Sequence, residues 1–175
     1  MSDIYCIIDC ETTGLDVTKH CIIEIGAIIT DMELNVLETY QTYVKPFPGA
    51  VVDQSAMDVN GITVEDLIDA PSETAAFNGL TKILRQPKYN SPTYVAFNQN
   101  FDLHFLKSLC FRNKLFMYGN GLILDLQMMV NDQEGIRKYS LKSAAEHFGI
   151  IRKDAHRALG DCWTNLELLK KVNKA

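Results

Sequence analysis

Apolar residues in the first third of the chain fall in short runs bounded by polar or turn residues, the spacing of strands rather than helices. Ile4-Tyr5-Cys6-Ile7-Ile8 leads into Asp9 and predicts a strand over 4–9. The run from Cys21 to Thr30, interrupted by Glu24, predicts a second, and Val36 to Val44, rich in Tyr, Thr and Val, a third. The short polar stretch Asp31 to Asn35 reads as a hairpin connection, and Pro46 and Pro48 then break the pattern. From there helical spacing enters. Thr63 caps a short helix with Asp66 three places on, and Ser72 caps another with Ala75, Leu80, Ile83 and Leu84 as its apolar residues. Thr93 to Phe97 predicts a fourth strand feeding a helix whose stripe includes Leu103, Leu106 and Cys110. Leu122 to Leu124 predicts a fifth strand, ending at Asp125, which is expected to cap a helix, the alternative being an acid that supports the metal ligands from behind. Ser140 to Phe148 and Ala158 to Val172 read as helices. The second of these has a core stripe of Leu159, Cys162, Trp163, Leu166 and Leu169 that leaves Asp161 off the buried face. Strands first, then strands alternating with helices, then helices: the class is α/β, with a mixed five-stranded sheet flanked by helices in one domain over residues 1–175.

Composition bounds what such a domain does. Hydrophobic content of 47% and charged content of 22% are those of an ordinary globular chain. No stretch approaches the ~20 apolar residues of a membrane span, and Met1-Ser2-Asp3 has no basic region of a secretory signal. Five cysteines, none spaced Cys-x-x-Cys, fit reduced thiols in a cytoplasm and not a disulfide framework or a zinc site. A net charge of −5 argues against a polyanionic partner until its distribution is read. Residues 1–70 hold 13 acids and 2 bases, residues 71–175 hold 9 acids and 15 bases. Arg137, Lys138, Lys142, Arg152, Lys153 and Arg157 form a basic stretch that either contacts phosphates or is a solvated helix face.

Candidate chemistry begins at Asp9-Cys10-Glu11. Residues two apart in a strand share a face, so the two carboxylates stand side by side, and they repel unless a cation sits between them. Hard divalent ions favour such oxygen ligands. Asp102 follows another strand-to-helix junction, where ligand sites of α/β sheets gather; alone it reads equally as a partner of the helix dipole. His156 and Asp161 would be ~140° apart on one helix at ~3.6 residues per turn. They converge only if His156 lies on the loop entering the helix and Asp161 in its first turn.

Together, Asp9-x-Glu11-Thr12-Thr13-Gly14, Asn98-x-x-Phe101-Asp102 and His156-x-x-x-x-Asp161 resemble the DnaQ-like 3′–5′ exonucleases of the DEDDh type. Ile23-Glu24-Ile25-Gly26-Ala27, Gly61-Ile62-Thr63 and Ser140-Leu141-Lys142 resemble further family segments in the same order, so the likeness covers nearly the whole chain. Phe97 and Asn60 depart from positions that are often His in that family.

The resemblance implies an RNase H-like fold and a metal-dependent 3′–5′ exonuclease. Asp9, Glu11, Asp102 and Asp161 would hold two divalent ions, Mg²⁺ or Mn²⁺, and His156 would be the general base. Thr12, Thr13, Gly14 and Leu15 would line the terminal nucleotide, with Asn98 contacting substrate or orienting Asp102, and Phe101 packing nearby or in the core. Two bound divalent ions would cancel four acids and leave the protein near −1, compatible with a short footprint on a single-stranded 3′ end. DNA, single-stranded or frayed, is the leading substrate; RNA or short oligoribonucleotides are the alternative. A third reading is a proofreading-like subunit joined to a DNA polymerase. The chain ends about a dozen residues past Asp161 with no long polar tail, which favours a self-sufficient enzyme, either monomer or homodimer.

Overall fold

The computed structural model describes residues 1–119, 121–134 and 139–173. Of the basic stretch, Arg137 and Lys138 lie outside the described residues. Five strands, β1 (Tyr5–Thr12), β2 (Ile22–Thr30), β3 (Val36–Tyr43), β4 (Thr93–Ala96) and β5 (Ile123–Asp125), form one sheet in the order β3-β2-β1-β4-β5. The β1–β2 and β2–β3 pairs are antiparallel; β1–β4 and β4–β5 are parallel. The helices are α1 (Gln54–Asn60), α2 (Val64–Leu67), α3 (Glu73–Leu84), α4 (Gln99–Arg112), α5 (Leu126–Glu134), α6 (Leu141–His147) and α7 (Ala158–Val172). The mixed sheet flanked by helices is as expected, and α5 follows Asp125 as its expected capping implies, but α1 is an addition.

Strand β1 runs past Asp9, because pairing with β2 continues until Glu11 stands opposite Glu24 and slips only between Glu11 and Thr12. Asp9 and Glu11 therefore project from hydrogen-bonded strand, not from a loop at its tip. Alternation assigns the faces. Cys6, Ile8 and Cys10 share a core with Ala76, Phe77, Leu80 and Leu84 of α3 and Leu103, Phe105 and Leu106 of α4. Ile7, in phase with Asp9 and Glu11, shares the other core with Leu126 and Val130 of α5, Ala144 of α6, and Cys162, Leu166 and Leu169 of α7. Each large apolar side chain so buried contributes about 1.5–3 kcal/mol.

Two capping expectations hold. Thr63 and Asp66 form a reciprocal capping box at α2, and Ser72 accepts from the Ala75 amide at α3. On α3 Leu80 and Leu84 are buried as expected, while Ala75 is exposed and Ala76 and Phe77 are buried beside it. On α7 the expected stripe holds at Cys162, Leu166 and Leu169 and fails at Trp163. Trp163 is 42% exposed and Asp161 only 6%. That helix is covered by the sheet on one side and by α5 and α6 on another, so its buried face is broad enough to include Asp161. It approaches the sheet at Gly26 of β2, where a Cβ would overlap the backbone of Ala158 and Leu159.

Candidate active site

Three routes bring carboxylates to the ends of β1 and β4. Asp9 and Glu11 come from β1 on the face toward α7. Asp161 comes from the first turn of α7, directly above. Carboxylate oxygens of these three lie within 4.8 Å of one another. Asp102 arrives from the opposite layer, in the first turn of α4, and is 3% exposed. Its Oδ1 accepts from the backbone N–H of Cys10 at 2.9 Å, so the strand between Asp9 and Glu11 fixes the fourth acid directly. Asn98 does not do this. It precedes α4 in a left-handed conformation, φ 58°, and is exposed on the rim. Asp9, Glu11, Asn98, Phe101, Asp102, Lys142, Arg152, His156 and Asp161 all line one cleft of about 300 Å³.

His156 sits on the loop before α7, exposed, with φ 62°; Asp154 two residues earlier has φ 51°. Positive φ is uncommon for residues with a Cβ. Here the loop is pressed onto α7 at Gly160, where a Cβ would overlap the Asp154 carbonyl. The loop carries His156 to the cleft outside the helix, while Asp161 enters from within it.

Crowding of acids sets the electrostatics. Burial, then Asp102, Asp161, Glu11 and Glu24, hold the Asp9 carboxyl well above its ordinary range. Burial, then Asp161 and Glu24, raise Glu11 to about 7, against the opposing pull of Arg157 and Arg152. Burial raises Asp102 to about 8 despite the Cys10 hydrogen bond, with Glu11 and Asp161 adding to it. Acids forced together in this way fit a hard divalent cation, which the all-oxygen donor set favours.

The segment after β1 is enclosed. Thr13 is fully buried; its hydroxyl donates to the Val51 carbonyl and accepts from the Cys21 amide, and its own amide donates to the Cys21 carbonyl. Thr12 Oγ1 donates to the Gly14 carbonyl. Leu15 is 82% exposed beyond them. Phe101 is partly buried against the core, its ring 5.0 Å from that of Phe105, and also reaches the cleft. Asp125 stands apart from the cleft lining and accepts from the Met128 amide at α5, the capping role expected of it.

Sequence reasoning missed the supports. Buried Glu24 accepts from Arg157 Nε and Nη2, Gln41 Nε2 and the Ala158 amide; it is the cap that α7 lacks from its own chain segment. An acid interrupting the apolar run of β2 was the available signal. Buried His20 accepts from the Asp16 amide through Nδ1 and reaches Asp53 through Nε2 at 3.2 Å, filling the space against Gly14. Buried Asn60 donates to the Thr12 carbonyl. Arg152 forms an ion pair with Asp161. Arg152 and Arg157 thus face internal acids, and only part of the basic stretch is left for phosphates.

Comparison with known proteins agrees with this arrangement. Residues 6–169 match the RNase T family model, described as exonuclease. The DNA polymerase III subunit epsilon of Treponema pallidum is 30% identical over 166 residues, covering 91% of this chain and 72% of that protein. A probable oligoribonuclease of Caenorhabditis elegans is 33% identical over 118 residues, 67% of this chain and 53% of that protein. Escherichia coli exonuclease I, solved with a dT13 oligonucleotide, superimposes with a TM-score of 0.83 at 22% identity over 98% of this chain. The chain spans 41% of that enzyme's length, and 11% of a PolC-type DNA polymerase III that it also matches. It belongs to the DnaQ-like 3′–5′ exonucleases and has their RNase H-like fold.

Proposed function

We propose that this exonuclease removes nucleoside 5′-monophosphates from the 3′ end of single-stranded or frayed DNA by a two-metal mechanism, as one domain over residues 1–175. The observation that carries the reading is the meeting of Asp9, Glu11 and Asp161 oxygens within 4.8 Å, with Asp102 and His156 on the same cleft. Asp9, Glu11, Asp102 and Asp161 would hold two Mg²⁺ or Mn²⁺ ions. When bound, the ions supply an acidified water and charge stabilisation at the leaving 3′ oxygen. His156, exposed and on the loop at the cleft mouth, would accept the water's proton as general base. Leu15 presents apolar surface to the terminal base, and Phe101 and Asn98 border the same space. Thr12, Thr13 and Gly14 hold the backbone that carries Leu15.

The preference for DNA is supported by the likeness to epsilon subunits of DNA polymerase III, which also makes a polymerase a candidate partner. RNA is a second reading, favoured by the oligoribonuclease and by a ribonuclease T of Histophilus somni, 30% identical over 118 residues. Either role fits the cytoplasm, as the five cysteines are all buried and unpaired. Among the described residues no helix is long and apolar enough to cross a membrane. Matched 5′-labelled DNA and RNA oligonucleotides test the reading. A ladder of shortened products with Mg²⁺ and none with chelator is expected, faster on DNA. An intact substrate of both kinds, with Mg²⁺ and with Mn²⁺, would sink it.

A further inference from the structure

Arg152 is unlike the other internal arginines of the fold. Arg157 meets Glu24 with Nε and Nη2, and Arg112 meets Glu73 with the same two donors. Both are the two-pronged pairs that guanidinium geometry favours. Arg152 makes one contact of this kind, Nη2 to Asp161 Oδ1 at 2.8 Å, although its side chain is only 12% exposed. Its Nε is buried with no hydrogen-bond partner among the described residues. A buried donor left unmatched is costly, so a structural ion pair would be expected to close on both oxygens. Arg152 also lines two adjoining spaces: the carboxylate cleft, and a neighbouring one of about 350 Å³ that it shares with Lys142, Ala155 and His156. Glu146 borders the same space, so a guanidinium with spare donors, an ammonium and an imidazole outnumber one carboxylate around the opening and favour an anion there. This opening is next to the cluster of acids.

We propose that Arg152 is the stand-in cation of Asp161 in the metal-free protein. Metal loading takes Asp161 from it, and the freed guanidinium then binds a phosphate oxygen of the nucleotide. The proposal rests on Asp161 being a metal ligand. Loss of Mn²⁺ binding in Asp161→Asn tests that assignment separately. If Asp161→Asn binds Mn²⁺ like the native chain, the metal-site reading has failed, whatever Arg152 does.

The test of Arg152 itself is a pair of affinities measured on the full chain. Mn²⁺ binding is followed by titration calorimetry, and binding of dAMP and AMP is followed with Mg²⁺ present. Arg152→Met should bind Mn²⁺ roughly tenfold tighter, since no cation has to be displaced, yet bind both nucleotides roughly tenfold more weakly; each factor is of the size one charge-assisted contact commands. Arg152→Lys should fall between. Lys142→Met, which removes a cation of the same cleft that has no carboxylate partner among the described residues, should leave Mn²⁺ affinity within about twofold. A merely structural arginine would weaken both ligands together. Weaker or unchanged Mn²⁺ binding in Arg152→Met, unchanged nucleotide binding, or equal tightening in Lys142→Met overturns the proposal. Should Arg152→Met not fold, the native protein answers by nuclear magnetic resonance. The Arg152 Nε–H signal must shift on Mg²⁺ addition and again on adding dAMP; a signal that stays in place overturns the proposal.

Discussion

His156 illustrates how little a side chain's type says about its work. It is exposed and within reach of solvent, and what distinguishes it is backbone: a φ of 62° on a loop clamped by contact with Gly160. Replacing its ring removes no buried packing, so His156→Ala should fold with nearly unchanged thermal stability. Metal affinity should also be retained, since the carboxylates come from other residues. Turnover should fall roughly 10²–10⁴-fold, the usual contribution of a positioned general base. A variant that stays within threefold of native turnover would remove His156 from the mechanism. By contrast His20, which has the same ring, is buried and committed on both nitrogens to Asp16 and Asp53. Nothing in the residue type separates the two; the loop and burial do.

At the scale of elements, the spacing between α7 and the sheet governs the site, because Asp161 rides on the helix and Asp9 and Glu11 on β1. Gly26 lets the helix backbone come against β2, and Glu24 two residues earlier caps it. Gly26→Ala should therefore push α7 outward. Stability should drop by about 1–3 kcal/mol, as overpacked sites do, and divalent affinity should weaken as Asp161 leaves Asp9. Calorimetry reads both, and unchanged metal affinity in a destabilised Gly26→Ala protein would show that Gly26 serves packing alone. The same elements show what was legible in the chain. Apolar runs predicted β1 and β2, a run rich in Tyr, Thr and Val predicted β3, and capping residues located α2 and α3. The helix α1 was missed because only Met57 and Asn60 of its seven residues are buried, too few to make a period. Trp163 was misplaced on α7 because single-helix periodicity assumes one buried stripe, whereas α7 is covered on more than one side. The acids and His156 were legible as spaced motifs. Their supports were not: Cys10 lies 92 residues from Asp102, and Glu24 lies 133 from Arg157, and contacts over such distances exist only once the sheet is assembled.

For the molecule as a whole, the site is a store of unfavourable charge. In the folded metal-free protein Glu11 is raised from its ordinary 4.5 to about 7 and Asp102 from 3.8 to about 8, each chiefly by burial, and Asp9 is raised as well. Between the ordinary and raised values the folded protein holds more protons than the unfolded chain, so stability must fall as pH rises through that window. So far as these groups decide it, the metal-free protein should thus be most stable below the ordinary value of 3.8 and lose stability steadily to about pH 8. Divalent ions reverse the sign. They bind the ionised acids of the folded state only, so Mg²⁺ should stabilise little at pH 5 and strongly at pH 8, raising the melting temperature by an amount that grows with pH. Thermal denaturation from pH 5 to 8, with Mg²⁺ and with chelator, should give two curves that diverge as pH rises. Parallel curves would mean that the acids of β1, α4 and α7 are not brought together for a cation. Asp161→Asn should narrow the divergence by removing one ligand from the set.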